Sequence, residues 1–241
     1  ANYTKDLIQD QLYVGSYLLL SFLSFMPGVF LFFFKNVENV QEDRLNEGNI
    51  RNLKSIVLQP RFLQAITAAA FAYAVMSFLM TATPLSMHVM ENMSLKETGL
   101  VLQFHVVAMF LPSLITGNLI KKYGHSTIIY GGVLFFFITV LLSLFEQTYL
   151  NYMLSLIFLG LGWNFLFISG TSLVVLTYNK GEKFKVQGVN DLIVFSTMAL
   201  ASLSAGILLN SIGWKMMNLI CIPFLILIIL VSFVADKKLD T

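Results

Sequence analysis

Seven apolar stretches run through this chain, at roughly 12–34, 62–83, 98–117, 127–145, 152–176, 187–209 and 216–235. Each holds about 20 residues or more, and at 1.5 Å rise per residue a helix of that length crosses a hydrocarbon core of about 30 Å. The 15 basic and 13 acidic residues lie outside these stretches with one exception, Asp191. Lipid offers no water to a bare N–H or C=O, so a spanning segment must be a helix or part of a closed barrel. The stretches are too long for membrane strands and do not alternate with period two. The chain therefore reads as all-α, a polytopic membrane bundle of seven transmembrane helices with the lipid bilayer as its solvent. The composition agrees, with 57% hydrophobic and 12% charged residues against about 25% charged in soluble domains.

Proline and glycine sit inside the runs (Pro27, Pro112, Pro223, Gly160, Gly162, Gly170, Gly206), where neighbouring helices satisfy the freed backbone groups. The lone Cys221 provides neither a disulfide framework nor a thiolate metal site and reads as core filler. The first run is too long for a signal-peptide core of about 7–15 residues and has no basic leader. With Ala1 in place of an initiator Met, the expectation is a chain that begins part-way through something longer, or one that has been trimmed.

The charges orient the bundle. Connectors 35–61, 118–126 and 177–186 and the C-terminal tail share one side and carry Lys35, Arg44, Arg51, Lys54, Arg61, Lys121, Lys122, Lys180, Lys183, Lys185, Lys237 and Lys238. The other side holds Lys5, Lys96 and Lys215. That bias puts the first set in the cytoplasm, the N-terminus of this chain outside and the C-terminus inside. The one long connector is polar and mixed in charge, as a linker between units is. The expected organisation is a leftover helix in 1–35, a cytoplasmic loop in 36–59 and a six-helix unit in 60–241.

Uncharged polar residues are unevenly shared. The first, fourth and seventh spans are nearly all Leu, Ile, Phe and Val. The second, third, fifth and sixth carry Gln64, Thr67, Thr81, Thr83, Gln103, His105, Asn164, Thr171, Gln187, Asn190 and Asp191. Such side chains usually face a bundle interior or a wet cavity. A period of three helices, two polar and one plain, suggests two three-helix repeats, an arrangement transporters use in inverted form.

At this point the chain resembles a major facilitator superfamily permease over nearly its whole length. The segment Gly117 to His125, GNLIKKYGH, is similar to the family's short cytoplasmic loop motif G-x-x-x-D-[RK]-x-G-[RK]. Gly117, Lys122 and Gly124 match it, Lys121 replaces the acid, and His125 stands where a second base would be. The acid's gating contact therefore does not carry over. MTATPLSM from Met80, LGLGWNFLFISGTSLV from Leu159 and VQGVNDLIVFSTMALASLSAG from Val186 resemble an uncharacterised bacterial subgroup. The resemblance implies a partial major-facilitator fold in a bacterial cytoplasmic membrane: the last helix of the N-terminal half, the central loop and the C-terminal half. It implies that the second, third, fifth and sixth spans line a central solute path, and that five N-terminal helices are missing. The partners it implies are a small solute, a coupling proton, and either the missing half of the same permease or a second copy. Neither a cofactor nor a nucleic-acid partner is expected.

Asp191 lies near the cytoplasmic end of the sixth span. It reads either as a dipole-complementing gate carboxylate, paired with Lys183, Lys185 or a base from the missing half, or as a proton-coupling acid, with Asn190 and Gln187 beside it. His105 and Gln103 are two residues apart, about 200° around a helix, so at most one of them points squarely into the path. His105 is the favoured one, as a proton carrier or solute donor, against a neutral imidazole bonded to a neighbouring helix. Asn164 and Thr171 share a face of the fifth span and either line a cavity or bond between helices. Trp163 at mid-span either stacks on a flat solute or packs. Ser202 with Gly206 reads as a small-residue packing face, and Thr81, Thr83 and Pro84 as a broken helix end, an outer gate hinge.

Secondary transport of a small solute is the function this reading supports, with a truncated or non-transporting sensor-like protein as the alternative. No nucleotide-binding loop is visible. A catalytic role is disfavoured by a single embedded acid and a single embedded histidine on different helices. A Schiff-base photoreceptor would need a lysine inside a span, and none is there.

Overall fold

The computed structural model describes residues 14–33 and 50–238. Most of the expected cytoplasmic loop, including Lys35 and Arg44, lies outside the described residues, as does the N-terminal segment with Lys5. Two compact units divide at residue 47. The first contributes α1 (Val14–Phe33), a 20-residue apolar helix with exposed flanks and Pro27 inside it.

The second unit begins at Gly48 and contains α2 (Leu53–Val57), α3 (Pro60–Pro84), α4 (Leu95–Phe110), α5 (Ser113–Tyr123), α6 (His125–Ser143), α7 (Tyr149–Val175), α8 (Lys183–Ile220) and α9 (Ile222–Lys237). Among the described residues of both units, six continuous helical stretches are long and apolar enough to cross a membrane. The last, Lys180–Lys237, has 58 residues. At 1.5 Å per residue that is about 87 Å, far more than one crossing. It turns at Gly213, where φ is 75° and ψ 170°, and so supplies both the sixth and the seventh expected spans.

A matching elbow occurs at Gly124, with φ 82° and ψ 160° between α5 and α6. Positive φ is open to glycine at little cost and strained for other residues. The two elbows join the second and third helices of each expected repeat, at opposite ends of the bundle. The segment expected as a connector at 118–126 is therefore helix as far as Tyr123, with a one-residue turn. Of the loop motif, Gly117, Lys121 and Lys122 ride on α5, the two lysines in its last turn, where cations complement the carbonyl end of the helix dipole.

The repeats interlock. α7, which opens the second repeat, packs on α3, α4 and α6 of the first, and α3 packs on α7, α8 and α9 of the second. Both are accordingly the most buried spans. Three glycines bring α7 close to its neighbours. A Cβ at Gly160 would meet the His105 carbonyl of α4 at 2.7 Å, and one at Gly170 the Ala65 carbonyl of α3 at 2.8 Å. One at Gly162 would meet the Gly132 carbonyl of α6 at 3.0 Å and the Phe136 ring closer still. The packing expected at Ser202 and Gly206 is looser, since a Cβ at Gly206 meets only Leu85 at 3.9 Å. Ser202 instead bonds the Thr81 hydroxyl at 3.0 Å. Nor does Pro84 break its helix: α3 passes into a π-helical turn over Leu85–Met90, and Thr83 bonds back to the Leu79 carbonyl.

Polar ties close one end. Arg61 donates to Gln64 (2.8 Å) and Asp236 (3.1 Å), Ser126 donates to Asp236 (2.6 Å), and Gln64 donates to Ser126 (2.9 Å), joining α3, α6 and α9. Gln64 thus faces α6 and α9. A second tie fixes the end of the linker. Glu182, 2% exposed, accepts from the Arg51 backbone N–H (2.9 Å), Nε (2.9 Å) and Nη2 (2.7 Å), and from the Asn179 N–H (2.8 Å). Hydrogen bonds from Arg51 hold its carboxyl down to about 2, from an ordinary 4.5.

Two outcomes follow from this packing. Gly160→Ala, which drives a methyl into backbone, lowers stability by about 1–3 kcal/mol. Gly188→Ala, which meets nothing within 4 Å, is neutral or stabilises by up to about 1 kcal/mol; thermal unfolding in detergent checks both. Because the folded Glu182 pKa is depressed, its stabilisation is complete above pH 4.5 and is lost as pH falls through about 2. The protection factor of the Arg51 amide, its exchange relative to the intrinsic rate at each pH, should fall across that window, and in Glu182→Gln the amide should exchange faster already at neutral pH.

Candidate functional site

The four spans expected to line a path each place an aromatic ring in one cluster. Tyr73 of α3 meets Trp163 (centroids 5.2 Å, edge-on), Phe167 (4.7 Å, edge-on) and Phe195 of α8 (6.0 Å). Trp163 and Phe167 of α7 stack at 4.9 Å and 15°, and Phe110 of α4 meets the Trp163 edge at 5.9 Å. Edge-on and offset contacts suit the ring quadrupole and add about 0.5–1.5 kcal/mol each beyond area burial. Trp163 is 3% exposed, whereas Phe110 is 59% and Phe195 50% exposed. The cluster therefore has a sealed base and an open aromatic face. No ring from α6 or α9 takes part in these pairs.

One stripe of α8 extends this face. Asp191, Phe195 and Ser202 are spaced by four and seven, within about 40° of a common direction at 3.6 residues per turn. Asp191 is exposed and stands about 6 Å along the axis from Phe195. The helix begins at Lys183, so Asp191 lies in its third turn and not in the first. Asn190 Nδ2 donates to Asp191 at 3.0 Å. The ion pairs among the described residues are Arg51–Glu182 and Arg61–Asp236, so Lys183 and Lys185 do not pair with Asp191. Gln187 is engaged elsewhere, donating to the Tyr178 hydroxyl at 2.7 Å.

Asn164 is fully buried and clamps the interruption between α4 and α5. Its Nδ2 donates to the Met109 carbonyl and to Ser113 Oγ, both at 2.6 Å, and its Oδ1 accepts from Thr116 Oγ1 at 2.6 Å. The Pro112 carbonyl, 2.8 Å from the same hydroxyl, is the alternative acceptor. Pro112 lacks the N–H that would continue the ladder, and the Asn164 amide ties the two helices across the gap. This is the interhelical alternative for Asn164. Among the described residues, Thr171, half-buried, bonds to the carbonyls of Phe167 and Ile168 in its own helix.

His105 is fully buried, and its Nδ1 lies 2.7 Å from the Leu156 carbonyl of α7. A carbonyl can only accept, so Nδ1 carries the proton and Nε2 is an unpartnered acceptor. His105 thus sits at the close α4–α7 crossing, and Gln103 is the exposed member of the pair. The structure links Trp163 to the Asp191 stripe through the Tyr73–Phe195 contact, turns Asn164 toward the α4–α5 interruption, and leaves His105 and Thr171 in helix contacts. Tyr73, Phe110, Phe167 and Phe195 were not singled out by sequence reasoning. The available signal was that the four polar spans each carry aromatics, but aromatics within an apolar run look like packing.

Sequence comparison identifies the family. The sequence profile of the Major Facilitator Superfamily matches residues 11–201 and again, in an overlapping alignment, 65–240. The Riboflavin transporter RfnT of Brucella anthropi is 35% identical over 227 residues, which is 94% of this chain and 57% of that protein. Two Bacillus subtilis proteins named as uncharacterized MFS-type transporters also align. YdeG is 26% identical over 86% of this chain and 50% of its own length, and YddS 33% identical over 64% and 37%. The chain spans about half the length of these curated relatives. With interlocked three-helix repeats and a profile match across most of its length, the chain is an integral membrane protein that belongs to the Major Facilitator Superfamily.

Proposed function

We propose that this chain forms the C-terminal half, preceded by one helix (1–35) and the central loop (36–59), of a secondary transporter that moves a flat aromatic solute by alternating access. The observation that carries this reading is the open aromatic face, built from one or more rings on each of four helices and set above a buried Trp163. A planar ring binds such a face by stacking, and the riboflavin named for the Brucella anthropi relative has a planar ring system. We assign a flavin-class solute on those two grounds. The other wall of the path comes from an N-terminal half, or from a second copy. Twelve of the chain's 15 Lys and Arg residues lie on one side of the topology, which supports a cytoplasmic C-terminus in a bacterial inner membrane.

Asp191 serves as the gate acid on this path. It is exposed, has no cation partner among the described residues, and lies on the Phe195 stripe. A lipid-facing carboxylate inside a span is disfavoured even near its cytoplasmic end, by less than the cost of about 2.5–3.5 kcal/mol at the bilayer centre, so a wet path or a facing base is its natural setting. It answers to a base on the opposite wall.

Uptake of labelled riboflavin by cells expressing the complete protein tests both assignments. Phe195→Ala should raise KM about 5- to 50-fold, the loss expected for one ring–aromatic stack of about 1–2.3 kcal/mol. Asp191→Asn should lower maximal uptake several-fold while leaving KM within about twofold, because it acts on turnover and not on binding. Unchanged KM in Phe195→Ala rejects the aromatic face as the binding surface. A KM effect in Asp191→Asn would make Asp191 a solute ligand in place of a gate.

A further inference from the structure

Trp163 carries a polar group that the packing does not use. The residue is 3% exposed, and its Nε1 meets no acceptor among the described residues, an arrangement proteins avoid because a buried N–H without a partner is costly. Tyr73, Phe110 and Phe167 surround the indole. With the residue this buried, an acceptor from outside reaches Nε1 only after a neighbouring group moves, and these rings are among its neighbours. Tyr73 and Phe167 sit within continuous helix. Phe110 is different: it is the last residue of α4, more than half exposed, and followed at once by the Leu111–Pro112 interruption.

That interruption is closed from Trp163's own helix by Asn164, the next residue in the chain. Three contacts of 2.6 Å, to the Met109 carbonyl, Ser113 Oγ and Thr116 Oγ1, bracket Phe110 on both sides in sequence. The carbonyl that Asn164 holds belongs to the residue directly before Phe110. Loss of that contact would free the end of α4 to turn about the proline, and Phe110 would turn with it.

We propose that Trp163 Nε1 donates to an acceptor on the edge of a flat heteroaromatic solute, and that Phe110, carried on the Pro112 interruption and latched by Asn164, is the ring that swings aside to admit it. This rests on the reading of the aromatic face as a solute site. It adds which atom reads the ring edge and which element yields. Trp163 then sets specificity for rings with edge carbonyls or ring nitrogens over hydrocarbon rings, and Asn164 is a positioning residue that acts through Phe110.

Stopped-flow quenching of riboflavin's own emission, on the complete protein in detergent, measures both parts. Trp163→Phe keeps an aromatic ring and removes the N–H; equilibrium affinity should fall about 3- to 10-fold, the size of one net hydrogen bond. Phe110→Ala and Asn164→Ala should each speed riboflavin association several-fold, which a purely structural asparagine would not do even if its loss lowered the melting temperature. If Asn164→Ala fails to fold, Asn164→Asp removes the amide donor that holds the Met109 carbonyl while keeping the side chain's size, and should show the same acceleration. Equal affinity in Trp163→Phe overturns the donor role, and unchanged association rates in the other variants overturn the latch. Failure of the unsubstituted protein to bind riboflavin removes the flavin-class reading and this proposal with it, a result separate from either variant outcome.

Discussion

Backbone contact at the glycines of α7 holds this unit together. Inside a membrane, lipid tails solvate leucine as well as another helix does, so helices associate through close packing and hydrogen bonds more than through water exclusion. Gly160, Gly162 and Gly170 let α7 touch α4, α6 and α3, with no room for a Cβ without displacement at each site. His105 to the Leu156 carbonyl and Asn164 to the Met109 carbonyl add hydrogen bonds along the α4 contact. Trp163 and Asn164 lie between these crossings. Their depth and rotation are therefore set by these backbone contacts together with the Asn164 hydrogen bonds.

The charged groups divide by role. Arg61 with Asp236 and Arg51 with Glu182 are satisfied structural ties at helix ends. The second fixes the point where the linker joins the bundle. Asp191 is spent on neither. It takes a hydrogen bond from Asn190 and shares a stripe of α8 with Phe195 and Ser202. Asp236 is paired within the unit and Asp191 is not paired with a cation among the described residues, as the proposed gate role requires.

Much of the fold was legible because it follows from one constraint, the hydrocarbon thickness. Span positions come from counting apolar lengths, and the four polar helices from where the uncharged polar residues fall. What sequence could not supply was the rotation of each helix. Whether His105 or Gln103 faces a neighbour is a question of helical phase, and the structure turns His105 toward α7. The aromatic cluster brings together Tyr73, Phe110, Trp163 and Phe195, residues tens of positions apart whose common direction no local pattern encodes. The tight glycines also escaped notice. Gly206 looked like a packing residue by its spacing from Ser202, but small residues permit a close crossing without specifying one. The connector at 118–126 was misplaced because polar residues in the last turns of a helix resemble a loop in hydropathy. Gly124 and Gly213 show how abruptly these helices can end.

Water access to the aromatic face separates a solute path from a lipid-facing surface. Single cysteines at Phe195, on that face, and at Leu134, equally apolar and 59% exposed on α6, can be compared in the complete protein with a membrane-impermeant maleimide, after removal of other reactive thiols. If the face lines a path, Phe195→Cys labels readily and riboflavin, at a concentration raised to match the weakened binding, protects it, while Leu134→Cys stays unlabelled under both conditions. Labelling at Leu134 with none at Phe195 would place the aromatic face in lipid and contradict the account.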